Sequence, residues 1–211
     1  MDLLKRFTAA DIICARKENR LEELLPSGAS IPFKFTTGEK NSFDVGRDSR
    51  YTYLILHDIA AGSSIMNNAP VDEGGWPASR MRNVIRDLFQ SLPDNFKKAA
   101  IPVTIQQKCK GQDIKCKDKA FLLSATNVFG YNPWPLSGDH EDTQIDIFRD
   151  LGCRTKKRNG GKEPASWCLR SPCDINHFAF VDRNGKMDFD CAYFKDGIIF
   201  AICIEDRKPK K

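Results

Sequence analysis

The spacing of apolar residues changes several times along this chain, and each change predicts an element. From Leu3 to Leu25 they recur on one helical face, with a break near Thr8. Ile31 to Phe35 alternates apolar and other residues, as a half-buried strand does. Phe43-Asp44-Val45 and Tyr51 to Leu56 predict two more strands, joined by the polar turn Gly46 to Arg50. Asn67 to Pro77 is rich in Asn, Gly and Pro and predicts a loop. Ser79 then stands as an N-cap before a helix over Arg80 to Gln90, where Met81, Val84, Ile85 and Leu88 share one face. Pro93 opens a second short helix through Ala100. Strands are predicted over Ile101 to Gln107 and Ala120 to Leu123, a helical turn over Ser124 to Phe129 ending at Gly130, and a short helix over Thr143 to Leu151.

The last third follows a different pattern. Trp167 to Ser171, Phe178 to Asp182, Lys186 to Ala192 and Ile198 to Ile204 predict short closing strands, with Asn184-Gly185 as a hairpin turn. Between Cys173 and Asp196, Cys, Asp, Asn, His, Phe and Tyr mix with little periodicity. Only Ala179, Val181, Gly185, Met187, Ala192 and Gly197 are spaced as small or apolar anchors. Such a run suits side chains offered to a partner better than side chains packed against one another. The whole predicts one α+β domain over 1–211, with an antiparallel sheet built mostly from the C-terminal half. Residues 1–42 form an N-terminal extension packed on it, and 166–204 form a ligand-display segment.

With 211 residues, 41% of them apolar, the chain is long enough for a sizeable core. No apolar run reaches the roughly 18 residues of a membrane span. Met1 to Arg20 mixes acids and bases and does not read as a secretory leader. The expected location is therefore the cytoplasm, or export or virion association by a leaderless route. The net charge of +5 gathers at Arg154 to Arg158 and at Arg207 to Lys211. Neither cluster has interleaved aromatics, so solvated charge is the expected reading and nucleic acid is not an expected partner.

Eight cysteines occur, at 14, 109, 116, 153, 168, 173, 191 and 203. Without a leader or a Cys-x-x-Cys pair, neither a disulfide framework nor a zinc site is expected. Cys203 reads as core, and Cys109 and Cys116 would close a hairpin if oxidised.

The motifs Met66-Asn67, Gly74-Gly75-Trp76, Ser79-Arg80-Met81-Arg82, Phe121 to Ser124, Val128-Phe129-Gly130 and Trp167 to Pro172 occur in this order. As an ordered set the chain resembles a phage and bacterial family with the C-type-lectin fold, of the formylglycine-generating-enzyme branch. It is similar there to the variable proteins of diversity-generating retroelements. The resemblance spans roughly Phe43 to Ile204. It implies a C-type-lectin-like α+β fold, short antiparallel strands with two or more helices, and a C-terminal segment rewritten to make new binding sites. One departure is Gly197-Ile198-Ile199-Phe200-Ala201-Ile202, where the family reads Gly-Val-Arg-Pro-Ala-Phe.

In such retroelements Asn codons are randomised in their first two bases, which yields Asn, Asp, Tyr, His, Cys, Phe, Ile or Ser but not Lys, Glu, Gln, Met or Trp. Cys168, Cys173, Asp174, Ile175, Asn176, His177, Phe180, Asp182, Asp188, Phe189, Asp190, Cys191, Tyr193, Phe194 and Asp196 all belong to the permitted set. They are the expected ligand-binding residues. The aromatics would act as anchors and the carboxylates would supply hydrogen bonds around them. The carboxylates lack the alternating spacing of an EF-hand, and no metal or cofactor is expected.

Trp167, Leu169 and Arg170 are expected to be structural, with Arg170 tying down carbonyls or a carboxylate. An enzyme reading rests on the Cys168 and Cys173 pair, whose spacing is similar to the redox pair of formylglycine-generating enzymes. The rest of that motif is missing, His177 is the only nearby His, and His57 and His140 lie far off in sequence. The expected function is non-enzymatic binding of a protein or cell-surface ligand. The alternatives are a thiol-dependent oxidoreductase and a structural phage-particle protein.

Overall fold

The computed structural model describes residues 8–60, 62–69, 74–109, 112–134 and 142–206. The start of the predicted first helix, His140 and the basic tail Arg207 to Lys211 lie outside these residues, as does the side chain of Cys109. The first helical stretch divides into α1 (Ala9–Lys17) and α2 (Leu21–Leu24). Thr8 caps α1 and exchanges hydrogen bonds with Asp11, which explains the pattern break there. Asn19, at φ 55, ends the first helix and turns the chain. Ile12, Leu21 and Leu25 of this segment are buried in the main core.

The principal sheet has five antiparallel strands in the order β1-β2-β3-β12-β6. They are β1 (Ser30–Lys34), β2 (Lys40–Arg47), β3 (Tyr51–Leu56), β6 (Ala120–Leu122) and β12 (Phe200–Asp206). Three of the five come from the first 56 residues, so the expected C-terminal weighting of this sheet is corrected. Residue 42 falls within β2, so the expected edge of an extension cuts a strand of the main sheet. The C-terminal β12 is fixed between β3 and β6, with Phe200 through Ile204 all buried.

Four helices and a hairpin accompany this sheet: α3 (Gly75–Ala78), α4 (Arg80–Gln90), α5 (Asp94–Ala99), α6 (Ala125–Phe129), β4 (Val103–Cys109) and β5 (Gln112–Asp118). Ser79 accepts from the N–H of Arg82, and α4 buries Met81, Ile85 and Phe89 on one side. β5 is absent from the sequence reading because its alternation depends on Lys115 and Lys117. Its strand form comes from full pairing with β4. Ser124 caps α6 and Gly130 ends it at φ 81. The helix predicted over 143–151 is instead a 3-10 turn (Asp146–Arg149) followed by α7 (Leu151–Arg154). Among the described residues no helix is long and apolar enough to cross a membrane.

A second sheet runs in the order β11-β10-β9: β9 (Trp167–Pro172), β10 (His177–Val181) and β11 (Met187–Cys191). A two-stranded piece, β7 (Lys156–Lys157) with β8 (Pro164–Ala165), lies before it. β9 is buried along its whole length. Trp167 is buried against Phe148, and its indole N–H donates to the Arg154 carbonyl at 2.9 Å. Arg170 donates to the Leu122 carbonyl at 2.8 Å and to Asn127 at 3.2 Å, and pairs with Asp142. Gln107 and Leu123 bond the Arg170 backbone in turn, which ties β9 to β4 and β6. Gly197 is required by close approach, because a Cβ there would lie 2.7 Å from the Ser166 carbonyl.

Candidate ligand-binding surface

β9 anchors the small sheet and β11 is its open edge. The β10–β11 hairpin turns at Arg183-Asn184-Gly185, with Gly185 at φ 76. Asp182 holds this turn by accepting from the N–H groups of Asn184 at 2.8 Å and Lys186 at 2.7 Å. The Gly185 turn rests against Leu151 and Thr155.

Register assigns the faces, because residues directly opposite one another point the same way. His177 faces Cys191, Ala179 faces Phe189 and Val181 faces Met187. Phe178 faces Asp190 and Phe180 faces Asp188. The expected ligand-binding residues therefore divide. His177, Phe189 and Cys191 lie on one face, and Phe180, Asp188 and Asp190 on the other.

On the first face, His177 and Phe189 meet edge to face at 5.5 Å, and Phe189 meets Trp134 at 6.2 Å. Beyond the hairpin, Tyr193 and Phe194 lie 5.2 Å apart. Ile175, Phe189, Tyr193 and Phe194 are 62%, 51%, 48% and 51% exposed. Asp174 and Asp188 are exposed, and Asn176, Phe180, Asp190 and Cys191 are half-buried. The anchors Ala179, Val181 and Ala192 are buried, and Met187 packs against the core.

Cys168 and Cys173 are placed differently from expectation. Both are buried, and neither belongs to the displayed surface. Burial pushes the Cys168 thiol well above its ordinary range, and the nearby Asp196 charge adds to this. The accessible sulfur that thiol redox chemistry requires is missing at both positions. Asp182 and Asp196 also serve the scaffold. The Asp196 side chain accepts from Ser166, and its backbone pairs with Ser64. Burial raises the Asp196 carboxyl, opposed by the Ser166 hydrogen bond and reinforced by the Asp190 charge.

The charge on Asp174 is well supported. Its slight burial is outweighed by hydrogen bonds from the N–H groups of Asn176 and His177 and from the His177 ring, which hold its carboxyl below the usual range. On the open side of β11, Asp188 accepts from the N–H of Phe189 at 2.9 Å, and Asp190 accepts from the N–H of Cys191 at 2.7 Å. These N–H groups point away from β10, so the edge carries its own side-chain caps. Among the described residues no group of three or more His, Cys, Asp or Glu could hold a metal ion.

The sequence reading missed Trp134, Tyr131 and Leu151. Trp134 reaches Phe189, and Tyr131 and Leu151 are exposed at 60% and 55%. The dense aromatics of Tyr131-Asn132-Pro133-Trp134 are the signal that would have found the first two.

No curated protein and no solved structure matches the chain. A family model described as Domain of unknown function (DUF6273) matches residues 51–206, from β3 through β12 and including the whole small sheet. That match covers most of the chain, which therefore belongs to this family.

Proposed function

We propose that this protein is a non-enzymatic ligand-binding protein, the variable protein of a diversity-generating retroelement, with a C-type-lectin-like scaffold. Its display surface is the open edge of the small sheet and the turns beside it, within 173–196. The observation that carries this reading is where the exposed apolar side chains gather. Of the six large ones exposed among the described residues, four lie between Ile175 and Phe194. A fifth, Leu151, touches the hairpin turn, and the sixth, Tyr131, lies three residues before Trp134, which meets Phe189. Exposed apolar groups so concentrated mark an interaction surface.

The division between anchors and displayed residues supports the same reading. Ala179, Val181 and Ala192 are buried, while Phe189 on β11 and Tyr193 and Phe194 in the following turn are exposed. Aromatic side chains give large contact area at low entropic cost, and the surrounding carboxylates supply directional bonds. Because Asp188 and Asp190 occupy the open N–H groups of β11, the partner is met by side chains and not by an added strand. The partner is a protein or a cell-surface molecule.

Sequencing the gene and its neighbourhood tests the retroelement part. The expected result is a reverse-transcriptase gene and a near-copy of the 168–196 coding segment, differing from it at adenines of the copy. A locus with neither would overturn diversification. The binding part stands or falls separately, on whether replacing Ile175, Phe189, Tyr193 and Phe194 by Ser abolishes ligand binding in a folded chain.

A further inference from the structure

We infer that the partner met by this surface is a protein presenting arginine side chains, whose guanidinium groups lie over the exposed rings and pair with Asp174, Asp188 and Asp190. The inference rests on the ligand-display reading above and names the chemistry of its partner.

The geometry starts at Phe189. Asp188 and Asp190 flank it on β11, and each uses Oδ1 to accept an outward-pointing N–H, from Phe189 at 2.9 Å and from Cys191 at 2.7 Å. Those bonds draw both carboxylates into the line of the strand edge, beside the Phe189 ring. On its other side Phe189 meets the His177 ring at 5.5 Å, and His177 Nδ1 lies 2.7 and 2.8 Å from the two Asp174 oxygens. Asp174, His177, Phe189 and Asp188 thus form one continuous run of carboxylate, ring, ring and carboxylate. Tyr193 and Phe194, 5.2 Å apart, lie in the turn that follows β11.

The charges of this run are unbalanced. An ionised carboxylate accepts through both oxygens, and Oδ2 of Asp188 and of Asp190 has no hydrogen bond among the described residues. Elsewhere acids pair with Lys or Arg: Asp44 with Lys156, Asp94 with Lys97, Asp118 with Arg82 and Asp142 with Arg170. Among the described residues no Lys or Arg pairs with Asp174, Asp188 or Asp190, and the ion-pair contact of Asp174 is His177. Residues 173–196 hold five aspartates and three basic residues, on a chain of net charge +5. The Asp190 charge is felt nearby: burial raises the Asp196 carboxyl first, and Asp190 adds to it against the Ser166 bond. The surface is therefore a negative region on a basic chain, and it complements a cationic partner.

Rings and carboxylates together select the guanidinium. It is planar, stacks on aromatic faces and donates in a fork to a carboxylate, whereas an ammonium is a compact, strongly hydrated point charge. The chain uses the same combination internally, where Arg170 lies over the Phe121 ring at 5.9 Å and pairs with Asp142. An anionic membrane surface would be repelled by these carboxylates.

The test is calorimetric titration of the full chain with hexa-arginine and hexa-lysine peptides. A chain of net charge +5 does not attract a polycation in general, so binding reports the negative region. Hexa-arginine is expected to bind at about 50 mM salt and to weaken about tenfold at about 300 mM. Hexa-lysine is expected to bind about tenfold more weakly than hexa-arginine. Asp174→Asn with Asp188→Asn and Asp190→Asn is expected to weaken hexa-arginine about tenfold. Phe189→Ser with Tyr193→Ser is expected to remove the preference for arginine over lysine. Cooperative urea unfolding shows that each variant is folded. If the triple variant is not, Asp188→Asn alone decides, with an expected loss of about threefold. Absence of hexa-arginine binding by the wild-type chain overturns the inference, and leaves the display reading to the Ser variant of its four apolar residues. Equal affinity for the two peptides also overturns it, as does binding that survives the Asp changes. A preference for arginine that survives the ring changes overturns it too, by reducing the site to its carboxylates.

Discussion

Trp76 donates its indole N–H to Asp118 at 2.9 Å, across more than forty residues of chain. The same carboxylate accepts two bonds from Arg82, at 3.0 and 2.9 Å, and one from the Cys116 thiol at 3.3 Å. One carboxylate thus joins α3, α4 and β5. Asp118 is 9% exposed and Arg82 24%. Asp118→Ala strands Arg82 and the indole together, and should lower stability by about 3 kcal/mol, near the loss expected on breaking a buried pair. Trp76→Ala and Trp167→Ala, both at fully buried rings, should each cost about 3 to 5 kcal/mol. Urea unfolding checks all three, and unchanged midpoints would contradict this account of the scaffold.

The displayed surface should behave in the opposite way. Replacing Ile175, Phe189, Tyr193 and Phe194 together by Ser removes the exposed apolar groups and leaves the anchors Ala179, Val181 and Ala192 in place. Each change should cost within about 0.5 kcal/mol. Unfolding should stay cooperative, while binding to any ligand recovered with the wild-type chain should be lost. A variant that no longer unfolds cooperatively would show these side chains to be packed; retained binding would move the site elsewhere.

Local signals with a strong physical basis were legible in the sequence. The Ser79 cap and the apolar face of α4 gave that helix its observed bounds, and Trp167, Leu169 and Cys203 are core residues as expected. Long-range pairing was not legible. The place of β1, β2 and β3 beside β12 depends on partners far apart in sequence, and β5 is a strand only through β4. In the candidate site, residue type marked Ile175, Phe189, Tyr193 and Phe194 correctly as exposed. It could not separate them from Cys168 and Cys173, which are buried within and just after β9, the strand tied to β4 and β6. Nor could it show that Phe180 and Phe189 take opposite faces, which hairpin register alone decides.

Asp196 and Asp174 should contribute to acid stability with opposite signs. The Asp196 carboxyl is raised in the fold by burial, so the folded state binds its proton more tightly than the unfolded state does. Its contribution falls as pH rises through the ordinary value of 3.8 towards the folded value. Asp174 is lowered, so its contribution is full above 3.8 and is lost as pH falls through its folded value. Asp196→Asn should therefore gain stability relative to wild type near neutral pH, with the difference fading below 3.8. Asp174→Asn should lose stability near neutral pH, with that difference also fading in acid. Thermal unfolding from pH 2 to 7 reads both, and parallel curves for the two variants would contradict the assignment.

The open edge of β11 supplies the last prediction. An edge strand offers unpaired N–H and carbonyl groups to any other chain, and proteins blunt such edges with charge. Here the charge is also a hydrogen-bond acceptor, because Asp188 and Asp190 occupy the N–H groups of Phe189 and Cys191. Asp188→Ala with Asp190→Ala frees both donors and removes two negative charges beside exposed Phe189. The fold should survive, since β11 is held by its pairing with β10 and not by these caps. The variant should self-associate at concentrations where wild type does not, seen as a concentration-dependent rise in sedimentation coefficient. A double Asn variant separates the two causes. It keeps an acceptor at each position and loses only charge, so it should self-associate less than the Ala variant. Equal association of the two would assign the protection to charge alone, and no association in either would show that the edge needs no caps.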